Sequence, residues 1–156
     1  MKNKTGLLVT FFFLGTIILG FSHKQLNRSE EPAQMNSFIS IFEIPATDLP
    51  RAAAFYESIL DIKIEVIDMQ GTEMGLFPSE GQSVSGVITK GEGYEPSDKG
   101  VLVYLNGGDN LNGILSKVEN SGGKIVLQKT MIDEENGYFA LFMDTEGNRM
   151  GIHSPN

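Results

Sequence analysis

The sequence of 156 residues contains no cysteine and only two histidines, His23 and His153. The absence of cysteine excludes disulfide bonds, thiolate metal sites, a cysteine nucleophile and the lipidated cysteine of a bacterial lipoprotein. It does not decide the compartment, because proteins without thiols occur in oxidising and reducing surroundings alike. His153 is the only histidine outside the first 34 residues, which makes it the first residue to consider for a metal or acid–base role.

Basic charge is also scarce. The chain has 12 Lys and Arg against 20 Asp and Glu, a net charge of −8. Residues 1–34 contain four basic and two acidic residues. The remaining residues therefore contain eight basic and eighteen acidic side chains and carry a net charge of −10. Binding to a phosphate backbone requires a basic surface that releases counterions, so nucleic acid is not an expected partner. Length and a hydrophobic content of 40% predict one globular domain.

The chain has one long apolar run, "GLLVTFFFLGTIILGF" at residues 6–21, and it follows Lys2 and Lys4. As a helix it would span about 24 Å, less than the ~30 Å hydrocarbon core of a bilayer. This favours a signal peptide in residues 1–34 and an exported protein, or one anchored outside the cytoplasm through residues 6–21 if they are not cleaved. The alternative is a cytoplasmic protein translated from Met35, where globular patterning begins.

Residues 35–156 contain one pattern twice: a strand, a helix and then short strands. In the first module, about 37–90, the strand ends at Asp48, a candidate helix N-cap. In the second module, about 100–154, the strand ends at Asp109, and the predicted helix "NLNGILSKVENSGG" follows. The displacement between the two aspartates is 61 residues, half of the 122 that follow Gln34, and it indicates an internal duplication. The helices should bury apolar faces formed by Leu49, Ala53, Phe55, Tyr56 and Leu60, and by Leu111, Ile114, Leu115 and Val118.

The stretches "FEIPATDLPRAAAFYESIL" and "FALFMDTEGNRMGIHS" resemble the glyoxalase/bleomycin-resistance/extradiol-dioxygenase group, the vicinal oxygen chelate superfamily, and the resemblance covers residues 37–154. It implies an α+β fold of two tandem βαβββ modules, in which curled mixed sheets surround a cavity and the helices lie outside. In the metalloenzymes of this group, the cavity holds a divalent ion that polarises vicinal oxygens of the substrate.

The resemblance also says where metal ligands would lie. One type of metal ligand lies on the first strand of a module, seven residues before the aspartate at the start of the helix. The other is a glutamate on the last strand, four residues after the glycine of a D-x-x-G turn. These positions hold Ile41, Leu102 and Gly151 here. None of their side chains offers an oxygen or nitrogen ligand, so we expect neither metal nor cofactor.

Strand alternation predicts which side chains share the cavity face with those three positions. The alternate residues Phe42, Ile44, Val103, Leu105, Met150 and Ile152 are apolar and should lie under the helices. Gly151, without a side chain, would leave room for a ligand near the last strand. The candidate ligand-binding residues on the cavity face are Glu43, Tyr104, Asn106, Arg149 and His153.

Two further expectations concern contacts between these candidates. The resemblance suggests that the first and last strands of a module are antiparallel, which would place Tyr104 and His153 towards opposite ends of the groove. Glu43 lies between apolar neighbours and needs solvent or a cationic partner, for which Arg149 and Lys129 are the candidates. The acidic run at 133–136 is expected to be a solvated turn.

Three functions fit this sequence. The first is binding of a small organic molecule in the cavity without the metal centre of the group. The second is a metal-independent lyase or isomerase with Glu43 or His153 as general base, which also needs a donor for the developing enolate. The third is a non-catalytic module that binds a protein partner. A homodimer is compatible with all three.

Overall fold

The computed structural model describes residues 37–156. The predictions made for residues 1–34, a signal or anchor segment and its consequence for export, lie outside the described residues. Within residues 37–156, no helix is both long enough and apolar enough to cross a membrane.

Ten elements form two modules of identical order. The first comprises β1 (Ile41–Pro45), α1 (Leu49–Leu60), β2 (Glu65–Met69), β3 (Thr72–Leu76) and β4 (Ser85–Lys90). The second comprises β5 (Tyr104–Asn106), α2 (Leu111–Asn120), β6 (Lys124–Asp133), β7 (Gly137–Met143) and β8 (Arg149–Ser154). This confirms the predicted α+β fold of two tandem βαβββ modules.

Each module contributes one four-stranded mixed sheet, in the orders β1-β4-β3-β2 and β5-β8-β7-β6, and neither sheet is closed. The first and last strands of each module run parallel, so the expectation of antiparallel pairing was wrong. The reason is topological. The helical connection makes the first two strands of a module parallel, and the two hairpins that follow reverse the chain twice, which returns the last strand to the same direction.

The duplication is visible in individual hydrogen bonds. Ala46 N donates to Thr89 O at 2.9 Å after β1, and Gly107 N donates to His153 O at 2.7 Å after β5. The positions therefore correspond across the modules, with the predicted displacement of 61 from Ala46 to Gly107.

The two helices do not begin at equivalent residues. Asp48 caps α1 as predicted, accepting from Arg51 N at 3.0 Å. Asp109 is not the cap of α2. Asn110 caps it by accepting from Asn112 N at 2.9 Å, because the preceding loop is one residue longer and turns through Gly108 at φ +63°.

Each helix packs on one face of its own sheet, and the two helices also contact each other. The predicted helix faces are confirmed, with Leu60 and Ile114 only partly buried. Of the strand residues predicted to lie under the helices, four are buried and the other two pack against the buried cluster: Ile44, Leu105, Met150 and Ile152, then Phe42 and Val103. On the opposite face of each sheet there is no helix from residues 37–156, and we call this the open face.

The last turn of the second module is bonded to the first module. Tyr56, buried in α1, donates its hydroxyl to Asp144 Oδ2 at 2.7 Å, and Asn148 Nδ2 donates to Pro45 O at 2.7 Å. The fully buried carboxylate of Glu146 accepts hydrogen bonds from the N-terminal turn of α1. The D-x-x-G turn therefore joins the two halves of the fold.

Candidate functional site

A cavity of about 320 Å³ lies on the open face of the second sheet. Its lining residues are Tyr104, Ile132, Phe139 and His153, one from each strand of that sheet. The register explains the cluster, since Tyr104 pairs with Gly151, two residues before His153, and Phe139 pairs with His153 directly. Tyr104 and His153 thus line one cavity, and the expectation that they lie at opposite ends was wrong because β5 and β8 are parallel.

Aromatic side chains form one wall of this cavity. The rings of Tyr104 and Phe139 meet edge to face, with 6.2 Å between centroids and an interplanar angle of 64°. The Tyr104 ring also lies over Gly151, where an added Cβ would stand 2.6 Å from Tyr104 Cε1. The space that Gly151 was expected to leave for a ligand is therefore filled by Tyr104, and the open volume lies beside it.

His153 is the imidazole that lines the cavity. Its Nε2 lies 2.6 Å from Asn136 O. A carbonyl oxygen can only accept, so Nε2 carries the proton, and in the neutral imidazole Nδ1 holds the free lone pair. Nδ1 makes no hydrogen bond within residues 37–156, and no buried side-chain nitrogen or oxygen there lacks a partner, so Nδ1 is not enclosed by these residues.

The turn between β6 and β7 holds Asn136 in place. The Asp133 carboxylate accepts from Asn136 N at 2.6 Å, from Asn136 Nδ2 at 2.8 and 2.9 Å, and from Glu135 N at 3.0 Å. The hydrogen bonds from the Asn136 side chain and then its backbone lower the pKa of Asp133. The predicted exposed turn is confirmed, and it has the additional effect of orienting His153.

Glu43 lies on the open face of the first sheet and does not line this cavity. Its carboxylate accepts from Thr89 Oγ1 at 3.1 Å and from the Tyr94 hydroxyl at 3.2 and 3.3 Å. The negative charge of Glu43 is the main reason that the pKa of Tyr94 is raised.

The expected pairing of Glu43 with Arg149 or Lys129 was wrong, because the segment between the modules brings Tyr94 to Glu43. Lys129 Nζ lies 4.2 Å from the centre of the Tyr138 ring. Arg149 forms no ion pair with a carboxylate of residues 37–156, and its backbone N donates to Ser97 O at 3.2 Å.

The remaining candidate, Asn106, is adjacent to His153 in the β5–β8 register. Its Oδ1 accepts from Gly108 N at 2.9 Å and so shapes the loop before α2. Asn106 and Arg149 belong to the open face by strand alternation, but neither is among the four side chains that line the cavity.

Three cavity features were missed by sequence reasoning: Phe139, Ile132 and the carbonyl of Asn136. Phe139 could have been found, since counting outward from the turn at Glu146-Gly147 places it opposite His153. Ile132 could not, because β6 pairs with β7 through three register shifts that no sequence pattern marks. The role of Asn136 depends on its backbone oxygen and so leaves no trace in the side-chain sequence.

The residues at the ligand positions do not fit the divalent ion that the resemblance associates with this fold. Ile41, Leu102 and Gly151 offer no donor atom, and Gly151 is covered by Tyr104. Within the described part of the chain, no three His, Asp or Glu side chains are grouped so that they could hold a metal ion.

Comparison with known proteins gives a consistent result. The sequence model described as "Glyoxalase/Bleomycin resistance protein/Dioxygenase superfamily" matches residues 38–152. A glyoxylase-like domain-containing protein from Didymella fabae is 33% identical over 119 residues, which cover 73% of this chain and 91% of the relative.

Solved structures show the same fold at lower identity. A glyoxalase I variant from Zea mays is 20% identical with a TM-score of 0.61, and the match covers 74% of this chain but 45% of the maize enzyme. TnmS3, an antibiotic-binding protein from Streptomyces sp. CB03234, is also 20% identical with a TM-score of 0.57, covering 77% of this chain and 97% of TnmS3. The chain spans less than half the length of the maize enzyme.

Proposed function

This chain belongs to the glyoxalase/bleomycin resistance protein/dioxygenase superfamily, and we propose that it binds a small organic molecule in the cavity of its second sheet, without the metal centre of the metalloenzymes. The observation that carries the proposal is the cavity of about 320 Å³ with an aromatic wall and two polar groups, the Tyr104 hydroxyl and the His153 imidazole. Ligand pockets in proteins have this size and this composition, mostly apolar with a few placed polar groups.

Two observations favour binding over catalysis. Of the two candidate general bases, only His153 lines the cavity, while Glu43 lies on the first sheet and accepts hydrogen bonds from Thr89 and from Tyr94 of the segment between the modules. The divalent metal ion that acts as a Lewis acid in the metalloenzymes of the superfamily would have no ligands here, because the ligand positions hold Ile41, Leu102 and Gly151. Binding requires only shape, aromatic surface and a hydrogen-bonding group, and these are present. TnmS3, a structural relative that the match covers to 97% of its length, is described as an antibiotic-binding protein.

The proposal is tested by titration with the neutral dye Nile red, whose emission shifts to the blue in an apolar site. Ile132→Lys places a charge in the cavity at a side chain that is 48% exposed, so it should abolish the shift and leave the fold intact. Ile41→Lys is the matched control on the open face of the first sheet, at 60% exposure. Equal loss in both variants, or no shift in the unmodified protein, would overturn the proposal.

The same titration with a chelator present tests the metal-free part of the proposal. Dye binding should be unchanged, since no described side chains at the cavity could hold an ion. A loss of binding that added zinc or nickel restores would contradict it.

A further inference from the structure

Two side chains that line the cavity, those of His153 and Tyr104, have lone pairs that can accept a hydrogen bond from a ligand, and His153 is the one whose ring is held by a hydrogen bond. Asn136 O holds the proton-bearing Nε2 at 2.6 Å, so the ring can rotate little without losing this bond. Nδ1 is the remaining polar atom of the ring, and the described residues do not enclose it. In the neutral side chain it can accept a hydrogen bond and cannot donate one.

The charge around the cavity selects among ligands that could use this lone pair. Ile132 is followed directly by Asp133, Glu134 and Glu135, and the lowered pKa of Asp133 keeps that carboxylate ionised at neutral pH. Residues 37–156 carry eight basic and eighteen acidic side chains. A carboxylate or sulfonate would therefore enter against a field of its own sign, whereas a neutral molecule would not.

The wall formed by Tyr104 and Phe139 selects for shape. Aromatic rings pack on one another edge to face or offset, and such pairs gain more than area burial alone. The Tyr104–Phe139 pair already adopts the edge-to-face arrangement, which leaves ring surface to the cavity that the two residues line. A planar aromatic ligand can continue this packing.

We propose that the cavity selects neutral aromatic molecules with an O–H or N–H donor, such as phenols and N–H heterocycles, and that His153 Nδ1 accepts this donor. The inference rests on the proposed function and adds to it the chemical class of the ligand and the residue that recognises it. The carbonyl of Asn136 is a positioning group, since it fixes the tautomer without touching the ligand.

The experiment compares four probes of one shape by calorimetry at pH 8.5: naphthalene, 2-methoxynaphthalene, 2-naphthol and 2-naphthoate. The unmodified protein should bind 2-naphthol about fivefold more tightly than 2-methoxynaphthalene, which is the effect of one net hydrogen bond of about 1 kcal/mol. It should bind 2-naphthoate more weakly than either. Tighter binding of 2-naphthoate would show that the site takes anions and would overturn the inference.

Two variants assign the preference to Nδ1. His153→Phe keeps an aromatic ring and removes the acceptor, so the preference for 2-naphthol should vanish while naphthalene still binds. His153→Asn places an amide oxygen near the position of Nδ1 and should retain part of the preference. Thr89→Val, at the corresponding strand position of the first module, should leave all four affinities unchanged. Thermal unfolding confirms that each variant is folded before it is titrated.

The outcomes separate this inference from the proposed function. If no probe binds, both fail. If naphthalene, 2-methoxynaphthalene and 2-naphthol bind equally well, the proposed function stands and the donor preference is wrong. If His153→Phe keeps the preference for 2-naphthol, another group, with the Tyr104 hydroxyl first, recognises the donor. Long-range proton–nitrogen NMR gives an independent test, because His153 should show the Nε2–H tautomer in the free protein.

Discussion

Tyr104 covers the Cα of Gly151, so that a Cβ at residue 151 would lie 2.6 Å from Tyr104 Cε1 and 2.7 Å from Tyr104 Cγ. At this position the metalloenzymes of the superfamily are expected to carry a glutamate ligand. Here the missing side chain is replaced by an aromatic ring from the neighbouring strand. The same pair thus removes a metal ligand and builds the wall of an apolar cavity.

This relationship predicts that Gly151→Ala is unfavourable although alanine is small. The methyl group must displace the Tyr104 ring near its attachment point, and overpacking of this kind costs about 1 to 3 kcal/mol. The loss should be measured as the free energy of unfolding in urea. Ring displacement should also weaken Nile red binding.

A double-mutant cycle provides the control for Gly151→Ala. In a Tyr104→Ala background the ring is absent, so Gly151→Ala should cost much less than in the unmodified protein. Additive losses would mean that the strain comes from the backbone of β8 and not from Tyr104.

The sequence was sufficient for the two modules, because strand and helix periods repeat with a displacement of 61 residues. It was also sufficient for the faces of β1, β5 and β8, since Ile152 and Met150, for example, are buried where alternation placed them. It was not sufficient for the site. The position of Tyr104 along β8 depends on whether β5 and β8 run parallel or antiparallel. Their relative direction is set by the whole connection through α2 and two hairpins, and no local sequence pattern indicates it.

The partner of Glu43 illustrates a second limit. Sequence reasoning sought a cation, because a carboxylate among apolar residues needs compensation. The structure supplies two hydroxyl groups, from Thr89 and Tyr94. Tyr94 lies in the segment between the modules, where the chain has no period from which a contact could be derived.

Neighbouring substitutions on β8 should differ sharply in their effect on stability. Ile152 is completely buried beneath α2, and Ile152→Ala should cost about 2 to 5 kcal/mol through lost burial and the cavity it leaves. His153→Ala removes one hydrogen bond to an exposed carbonyl that water can satisfy, so it should cost about 1 kcal/mol or less. Urea unfolding of both variants gives the comparison, and equal losses would show that the strand register is wrong.

The metal content of the purified protein should be well below one ion per chain for zinc, nickel, manganese and iron. The physical reason is the donor set, since Ile41, Leu102 and Gly151 cannot coordinate a cation. Elemental analysis of protein produced in metal-supplemented medium is the measurement. A stoichiometric ion that survives dialysis would require a different set of ligands and would return a metal-assisted reaction to consideration.

Glu146 should make the fold sensitive to acid. Burial raises the pKa of this carboxyl, but hydrogen bonds from Arg51, Asp48 and Thr47 outweigh it and lower the pKa from 4.5 to about 2. The contacts are short: Arg51 Nε donates to Oε1 at 2.7 Å, and the backbone nitrogens of Thr47 and Asp48 donate to Oε2 at 2.9 and 3.0 Å. The side chain of Glu146 is completely buried, whereas that of Arg51 is half exposed.

A carboxyl whose pKa is lower in the folded than in the unfolded protein stabilises the fold above the unfolded value and loses this effect as the pH falls through the folded one. The contribution of Glu146 should therefore be complete above about pH 4.5 and be lost towards pH 2. After allowance for screening at the half-exposed Arg51, it should amount to about 2 kcal/mol. Glu146→Gln should destabilise the protein by this amount at pH 7, and the difference should shrink between pH 4.5 and 2 in urea unfolding.

Glu80→Gln, an exposed loop substitution, is the control and should show almost no difference at any pH. A constant penalty for Glu146→Gln across this range would mean that packing, and not the ionised carboxylate, joins the last turn of the second module to α1.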